Sequence, residues 1–158
     1  MSEDFAELPA AAAEIAAQLQ LEPLEHEGGL FRQNYQDQFS TAIYYLLAGD
    51  DFSALHKLDS TEVYHWYAGA PLQLVIIYPD GRVEEPVLGP DLTAGQRPQF
   101  VVPAGAWHGS GSAGDWTLVG TTMAPGFIWE DFTLGGRDSL IEQFPHAAKI
   151  ITQYTRTA

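Results

Sequence analysis

The chain has 158 residues, 46% hydrophobic and 12% aromatic, enough to close one domain around a packed interior. Seven Lys and Arg against 21 Asp and Glu give a formal net charge of -14, which repels phosphate backbones and anionic lipid, so neither nucleic acid nor a membrane is expected as a partner. The absence of cysteine excludes a disulfide framework, thiolate metal ligands and thiol nucleophiles. No apolar run reaches the roughly 18 residues of a spanning helix, and the opening MSEDFAEL is acidic where a signal peptide is basic, which predicts a cytoplasmic location.

In chain order, residues 9–20 predict a short helix. Pro9 suits a first helical turn, the alanines are strong helix formers, and Leu8, Ala12, Ile15, Ala16 and Leu19 make one apolar stripe. Gly28-Gly29 then signals a turn before an aromatic segment. From there the pattern is β. Thr41 to Leu47 is a dense β-branched and aromatic run that ends at Gly49-Asp50-Asp51, Glu62 to Ala68 is aromatic, and Ala70 to Tyr78 is nearly continuous apolar. The turn signal Pro79-Asp80-Gly81-Arg82 leads into Val83 to Leu88, and further strands are predicted at Gln99 to Val102 and Trp116 to Met123. Gly109 to Gly114 reads as a flexible hairpin loop, with no lysine and no following helix to make it a phosphate cradle. Pro125-Gly126 precedes FIWEDFTL, and Ser139 to Tyr154 has helical spacing broken by Pro145, a tail in two pieces. Roughly eight to ten short strands with helices only at the ends predict an all-β sandwich or barrel. No linker appears, so one domain over residues 1–158 is expected, with its β core at about 27–135, the first helix at about 9–20 and the helical tail at about 138–154.

Chemistry concentrates between Gly49 and Gly69. His56 stands six residues before Glu62, a spacing that can set both side chains on one inner face of a barrel through adjacent strands. Tyr64 and Trp66 share the face of Glu62 on a regular strand, whereas His65 falls opposite with Val63 and Tyr67, on the outer face or at a subunit contact, unless a bulge intervenes. His108 follows the Pro103-Ala104-Gly105 turn. Tyr64, Trp66, Phe100, Trp107, Phe127 and Trp129 are candidate ligand-binding walls, with His108 a further ligand-binding candidate, because aromatic faces with a few polar groups hold sugars or planar rings; Trp107, beside His108, is the foremost. Core packing is the competing role for each. His26 and His146 lie in polar surroundings that predict surface roles, and Asp50-Asp51 and Glu84-Glu85 read as solvated turns.

Gly49 to Gly69, with His56, Leu58 and Glu62, resembles the first cupin motif, and Pro103 to His108 resembles the second. The ordered series Glu27-Gly28-Gly29, Ile43 to Leu47, Leu88-Gly89, Val101 to Pro103, Ala124 to Phe127 and Asp131-Phe132 is similar to a cupin subfamily of unassigned function, over about residues 9–150. The resemblance implies a double-stranded β-helix, or jelly-roll barrel, with short N- and C-terminal helices. It also implies a small polar ligand or a metal inside the barrel, a homodimer, and a fold like that of nucleotide-sugar epimerases and germins. In metal-binding cupins the first motif supplies two histidines and a glutamate and the second supplies one histidine; here Leu58 stands in place of one. His56, Glu62 and His108 remain, a two-histidine, one-carboxylate set of the composition that holds Fe, Mn, Ni or Zn, or alternatively three hydrogen-bonded groups lining a metal-free pocket.

Three functions stay open on the sequence. The first is epimerase-like or isomerase-like proton transfer on a sugar-like carbonyl compound, with His56 as base and Tyr64 as acid, and Glu62 in the same catalytic group. It stands ahead of the second, a metal-dependent oxygenase or lyase on His56, Glu62 and His108, because Leu58 removes a ligand. The third is a non-catalytic small-molecule binding protein.

Overall fold

The structure, a computed structural model, describes residues 8–157. A helix, α1 (Ala10–Gln18), precedes β1 (Glu22–Pro23), β2 (Leu30–Gln36), β3 (Thr41–Ala48), β4 (Phe52–Lys57), β5 (Glu62–Gly69) and β6 (Leu72–Ile77). Then come β7 (Val83–Glu84), β8 (Val87–Leu88), β9 (Gln99–Val102), β10 (Trp107–Ser112), β11 (Trp116–Met123) and β12 (Thr133–Leu134). The tail holds α2 (Arg137–Gln143), a 3-10 turn at Pro145–Ala147, and α3 (Ala148–Gln153).

The strands form two antiparallel sheets. One runs β1-β2-β3-β11-β5-β9; the other runs β12-β4-β10-β6, with β7 and β8 both on the free side of β6. Their inner faces meet in a core of Tyr45, Leu47, Tyr64, Leu72, Leu74, Ile76, Val102 and Val119, an all-β jelly-roll barrel with the helices of the two chain ends packed on its outer faces.

The apolar runs that looked too continuous for a half-solvated strand have a common cause. On β3, Tyr45 and Leu47 face the inner core, while Leu46 and Ala48 pack outward against Ala12 and Ala16 of α1. On β6, Leu72, Leu74 and Ile76 face inward and Val75 and Ile77 meet Leu140, Phe144 and Ile151 of the tail. Both strands are therefore buried on both faces, each large aliphatic side chain contributing about 1.5–3 kcal/mol.

Two sequence expectations need correction. Gly109 to Gly111 is not a loop but part of β10, the strand between β4 and β6. Glycine is required at 109 because a Cβ there would come within 2.8 Å of the Ser53 carbonyl, where the β10–β4 register shifts through a bulge between His108 and Ser110. Val83 to Leu88 is two short strands, since Pro86 has no amide hydrogen to continue a ladder. Phe52–Lys57, the strand that carries His56, has no separate strand signal in the sequence, and FIWEDFTL becomes a 3-10 turn (Trp129–Asp131) before β12. Among the described residues no helix is long and apolar enough to cross a membrane.

Candidate functional site

Pairing of β4 with β10 sets His56 directly opposite His108, with ring centroids 4.1 Å apart. From the facing sheet, β5 delivers Glu62, whose Oε1 lies 3.0 Å from Nε2 of His108. One donor atom from each of the three residues lies within 4.8 Å of the others, and all three are buried. The triad thus ties the two sheets together beside a cavity of about 620 Å³; His56 and Glu62 line that cavity, together with Tyr64, Thr121, Tyr45 and Leu58, whereas His108, expected to bind ligand, is buried behind them and does not line it.

Hydrogen bonding fixes what each imidazole offers. Nδ1 of His56 is 2.7 Å from the Ala54 carbonyl, which can only accept, so Nδ1 carries the hydrogen and Nε2 keeps its lone pair. Burial pulls the His56 pKa below 6.5, against the opposing pull of Glu27, and the ring is neutral near pH 7. On His108, Nε2–H donates to Glu62, which leaves Nδ1 buried without a hydrogen-bond partner among the described residues. Burial alone would raise the carboxyl of Glu62, but the hydrogen bond from His108, the electrostatic pull of the two neighbouring imidazoles and the Thr121 hydroxyl together hold it below 4.5. Tyr64, 5.8 Å from His108 between ring centroids, has its hydroxyl pushed well above 10 by burial and by Glu62, and so keeps its proton.

Glu27 belongs to this site, and sequence reasoning missed it. Its Oε1 lies 3.6 Å from Nε2 of His56, its Oε2 accepts the Ser53 hydroxyl at 2.9 Å, and the residue is buried on the cavity wall. The signal is the Glu27-Gly28-Gly29 triplet, which the sequence offers as a turn and as one stretch of the cupin-like series, with no role for the Glu27 side chain. A Cβ on Gly28 would overlap the Phe52 carbonyl and the Arg156 guanidinium, and one on Gly29 would overlap the Tyr45 ring. The two glycines let the chain pass close enough to seat Glu27 inside.

The aromatic candidates divide. Phe127 and Trp129 line the cavity with Phe132, in near-perpendicular contacts at 5.0 Å (Phe127–Trp129) and 5.2 Å (Trp129–Phe132); Phe132 also stacks on His56 at 5.4 Å. Trp66 and Phe100 pack against the inner core and do not line the cavity, and the Trp66 indole N–H donates to the Ala70 carbonyl at 3.0 Å. Trp107 corrects the expectation most sharply. With His108 pointing inward, strand alternation turns its neighbour outward, where Trp107 packs on the tail helices beneath the Lys57 ammonium, 4.9 Å from the ring.

His65 lies on the outer face, its Nε2 2.9 Å from the Thr122 hydroxyl and its ring stacked on Tyr67. The β5 bulge falls after it, between the Trp66 and Ala68 pairings, and so does not turn it inward. His26 is exposed, and His146 donates through Nε2 to the Gly81 carbonyl at 2.6 Å.

The donor set suits a divalent first-row ion in type and in one spacing: 3.0 Å between Nε2 of His108 and Oε1 of Glu62 is about the separation of neighbouring ligands held at about 2.1 Å. His56, Glu62 and His108 would hold the ion, and Leu58, which lines the same cavity, has no donor atom to add. Among the described residues Nδ1 of His108 has no acceptor to orient the ring for that role, the support that metal-bound imidazoles usually have.

A two-sheet jelly roll with paired histidines from one sheet and a glutamate from the other defines a cupin barrel. The chain belongs to the family described as Cupin superfamily (DUF985), which matches residues 13–135. It is 35% identical over 108 residues to the uncharacterized protein YML079W of Saccharomyces cerevisiae, covering 64% of this chain and 53% of that protein, so the chain spans about half the length of this curated relative. Among solved structures it is similar to protein SO0799 from Shewanella oneidensis, at 32% identity and a TM-score of 0.88 over 92% of this chain and 97% of that one. A hypothetical protein from Leishmania major follows at 27% identity and a TM-score of 0.83, over 90% and 97%. At the level of fold alone, the barrel is shared with a dTDP sugar isomerase from Desulfovibrio desulfuricans (16% identity, TM-score 0.55, 76% of this chain and 82% of that one). It is also shared with an oxalate decarboxylase of Bacillus subtilis (11% identity, TM-score 0.59, 85% and 37%).

Proposed function

We propose that the cavity binds a small, sugar-like carbonyl compound and moves a proton at the carbon next to the carbonyl, an isomerase-like or epimerase-like reaction with His56 as base. The observation that carries this reading is the 2.7 Å hydrogen bond from Nδ1 of His56 to the Ala54 carbonyl, which aims the lone pair of Nε2 at the cavity in a ring kept neutral by burial. As the C–H bond breaks, the proton passes to Nε2 and the electron pair moves onto the carbonyl oxygen as an enolate. The imidazolium is then stabilised by the Glu27 carboxylate on one nitrogen and the Ala54 carbonyl on the other. Tyr64, still protonated, returns a proton, and Glu62 holds His108 beside it. Phe127, Trp129 and Phe132 cover the reacting end and limit access of water.

Incubation with candidate sugars in deuterium oxide tests the reading: wild-type protein is expected to exchange the α-hydrogen of a bound compound, and His56→Gln to bind it without exchange. A ligand that binds with no His56-dependent exchange leaves a binding protein and overturns the reaction.

A second reading rests on the 3.0 Å spacing of the His108 and Glu62 donors. A divalent ion, when bound there, would polarise an oxygen of the ligand as a Lewis acid. Elemental analysis with native mass spectrometry of untagged protein separates the readings, and the same spectrum tests the proposed homodimer.

A further inference from the structure

We infer that the cavity takes its ligand uncharged, as a free polyhydroxy aldehyde or ketone, and rejects phosphorylated, nucleotide-linked or carboxylate compounds. The inference rests on the proton-transfer reading above and narrows its substrate class.

The charge that faces the cavity has one sign. Glu27 and Glu62 are both more than nine-tenths buried on its inner wall, and Glu22 and Glu130 border its mouth. Among the described residues the only lysine or arginine bordering the cavity is Arg32. Strand register turns Arg32 away: Phe31 and Gln33 pair with Tyr45 and Ile43, which face the cavity, while Arg32 pairs with Tyr44, which packs outside the barrel with α1. Lys57, next to His56, points outward over Trp107. The N–H groups of the two site imidazoles are already spent, that of His56 on the Ala54 carbonyl and that of His108 on Glu62, and among the described residues no lysine or arginine side chain faces a ligand in the inner chamber.

An anionic group would therefore give up its hydration beside carboxylates with no counter-charge. At an effective dielectric of about 20, a unit negative charge about 6 Å from one carboxylate is disfavoured about a hundredfold. What the walls do offer is neutral. Gln33 and Gln36 face inward from β2 and Thr41 and Thr121 from β3 and β11, amides and hydroxyls that match sugar hydroxyls, while the Phe31 and Trp129 rings match the C–H faces of a sugar.

The test is ligand-observed NMR on untagged protein with chelator present, using free aldoses and ketoses, their 1- and 6-phosphates, a dTDP-linked sugar and oxalate. At least one free sugar is expected to bind, with its phosphate at least tenfold weaker. A phosphate, nucleotide-linked sugar or oxalate that binds as tightly as the free sugars overturns the inference, and so does a panel in which no free sugar binds. Arg32→Gln is expected to leave the ranking unchanged; collapse of the ranking in that variant overturns the orientation on which it depends. A second arm needs no ligand. Quenching of Trp129 fluorescence, taken as the difference between wild type and Trp129→Phe, is expected to be several-fold stronger with caesium than with iodide at low salt, and equal or stronger iodide quenching overturns the inference. If a free sugar binds but its α-hydrogen does not exchange, the reaction fails while the charge selection stands.

Discussion

Oε1 of Glu27 and Nε2 of His56 face each other at 3.6 Å with no hydrogen between them, because His56 spends its one N–H on the Ala54 carbonyl. Two acceptors so placed hold an imidazolium better than an imidazole. Replacing Glu27 by Gln removes that preference without emptying the wall. Proton exchange is expected to fall about tenfold or more, with the His56 pKa displaced further downward, read from its ring resonances in an NMR titration. Unchanged exchange and an unchanged titration would remove Glu27 from the site.

Burial sets the sign of the pH response. His56 titrates below 6.5 in the folded chain, so as pH falls from above 6.5 the unfolded chain takes up the proton first. The contribution is complete above 6.5 and is lost as pH falls through the folded value. Glu62, held below 4.5, adds a second loss at lower pH with the same sign. Urea midpoints are therefore expected to drop between pH 7 and 5, with a shallower drop in His56→Gln; equal slopes would contradict the depressed imidazole.

His108→Ala addresses the metal. If the triad holds an ion, added Mn(II) or Ni(II) binds the wild type at one per chain and the variant at least tenfold more weakly, by calorimetry. Equal weak binding by both proteins counts against the metal reading.

The C-terminal tail braces the site. Arg156 donates to the carbonyls of Glu27 and Phe52, pairs with Asp51 at 2.8 Å and stacks on the Phe52 ring at 4.0 Å. Asp51 in turn accepts the Gly29 amide at 2.8 Å. Its partly exposed ion pair contributes little, but the carbonyl bonds hold the loop that seats Glu27, so Arg156→Ala is expected to cost about 1–3 kcal/mol by chemical denaturation and to slow exchange in step with Glu27→Gln. Loss of stability with full exchange would make the brace structural only.

Gly109→Ala isolates backbone approach. The new Cβ would stand 2.8 Å from the Ser53 carbonyl, so strand β4 or β10 must shift, at a cost of about 1–3 kcal/mol. A calorimetric midpoint equal to wild type would show that the bulge relaxes freely.

The sequence alone determined the β-rich class, the helix at each end and most strand positions, because alternation, apolar runs and Gly/Pro punctuation act over a few residues. Its cupin motifs named His56, Glu62 and His108, and period two set His65 on the outer face. Only the tertiary structure decided the rest. Glu27 lies 29 residues from His56 in the chain, and its carboxylate reaches that ring only because two glycines permit a contact with strands still to come. Trp107 and Trp129 look alike as cavity walls in sequence; on β10 the inward His108 turns Trp107 onto the tail helices, while the chain path after β11 brings Trp129, in a 3-10 turn, to the border of the cavity, and neither placement follows from local spacing.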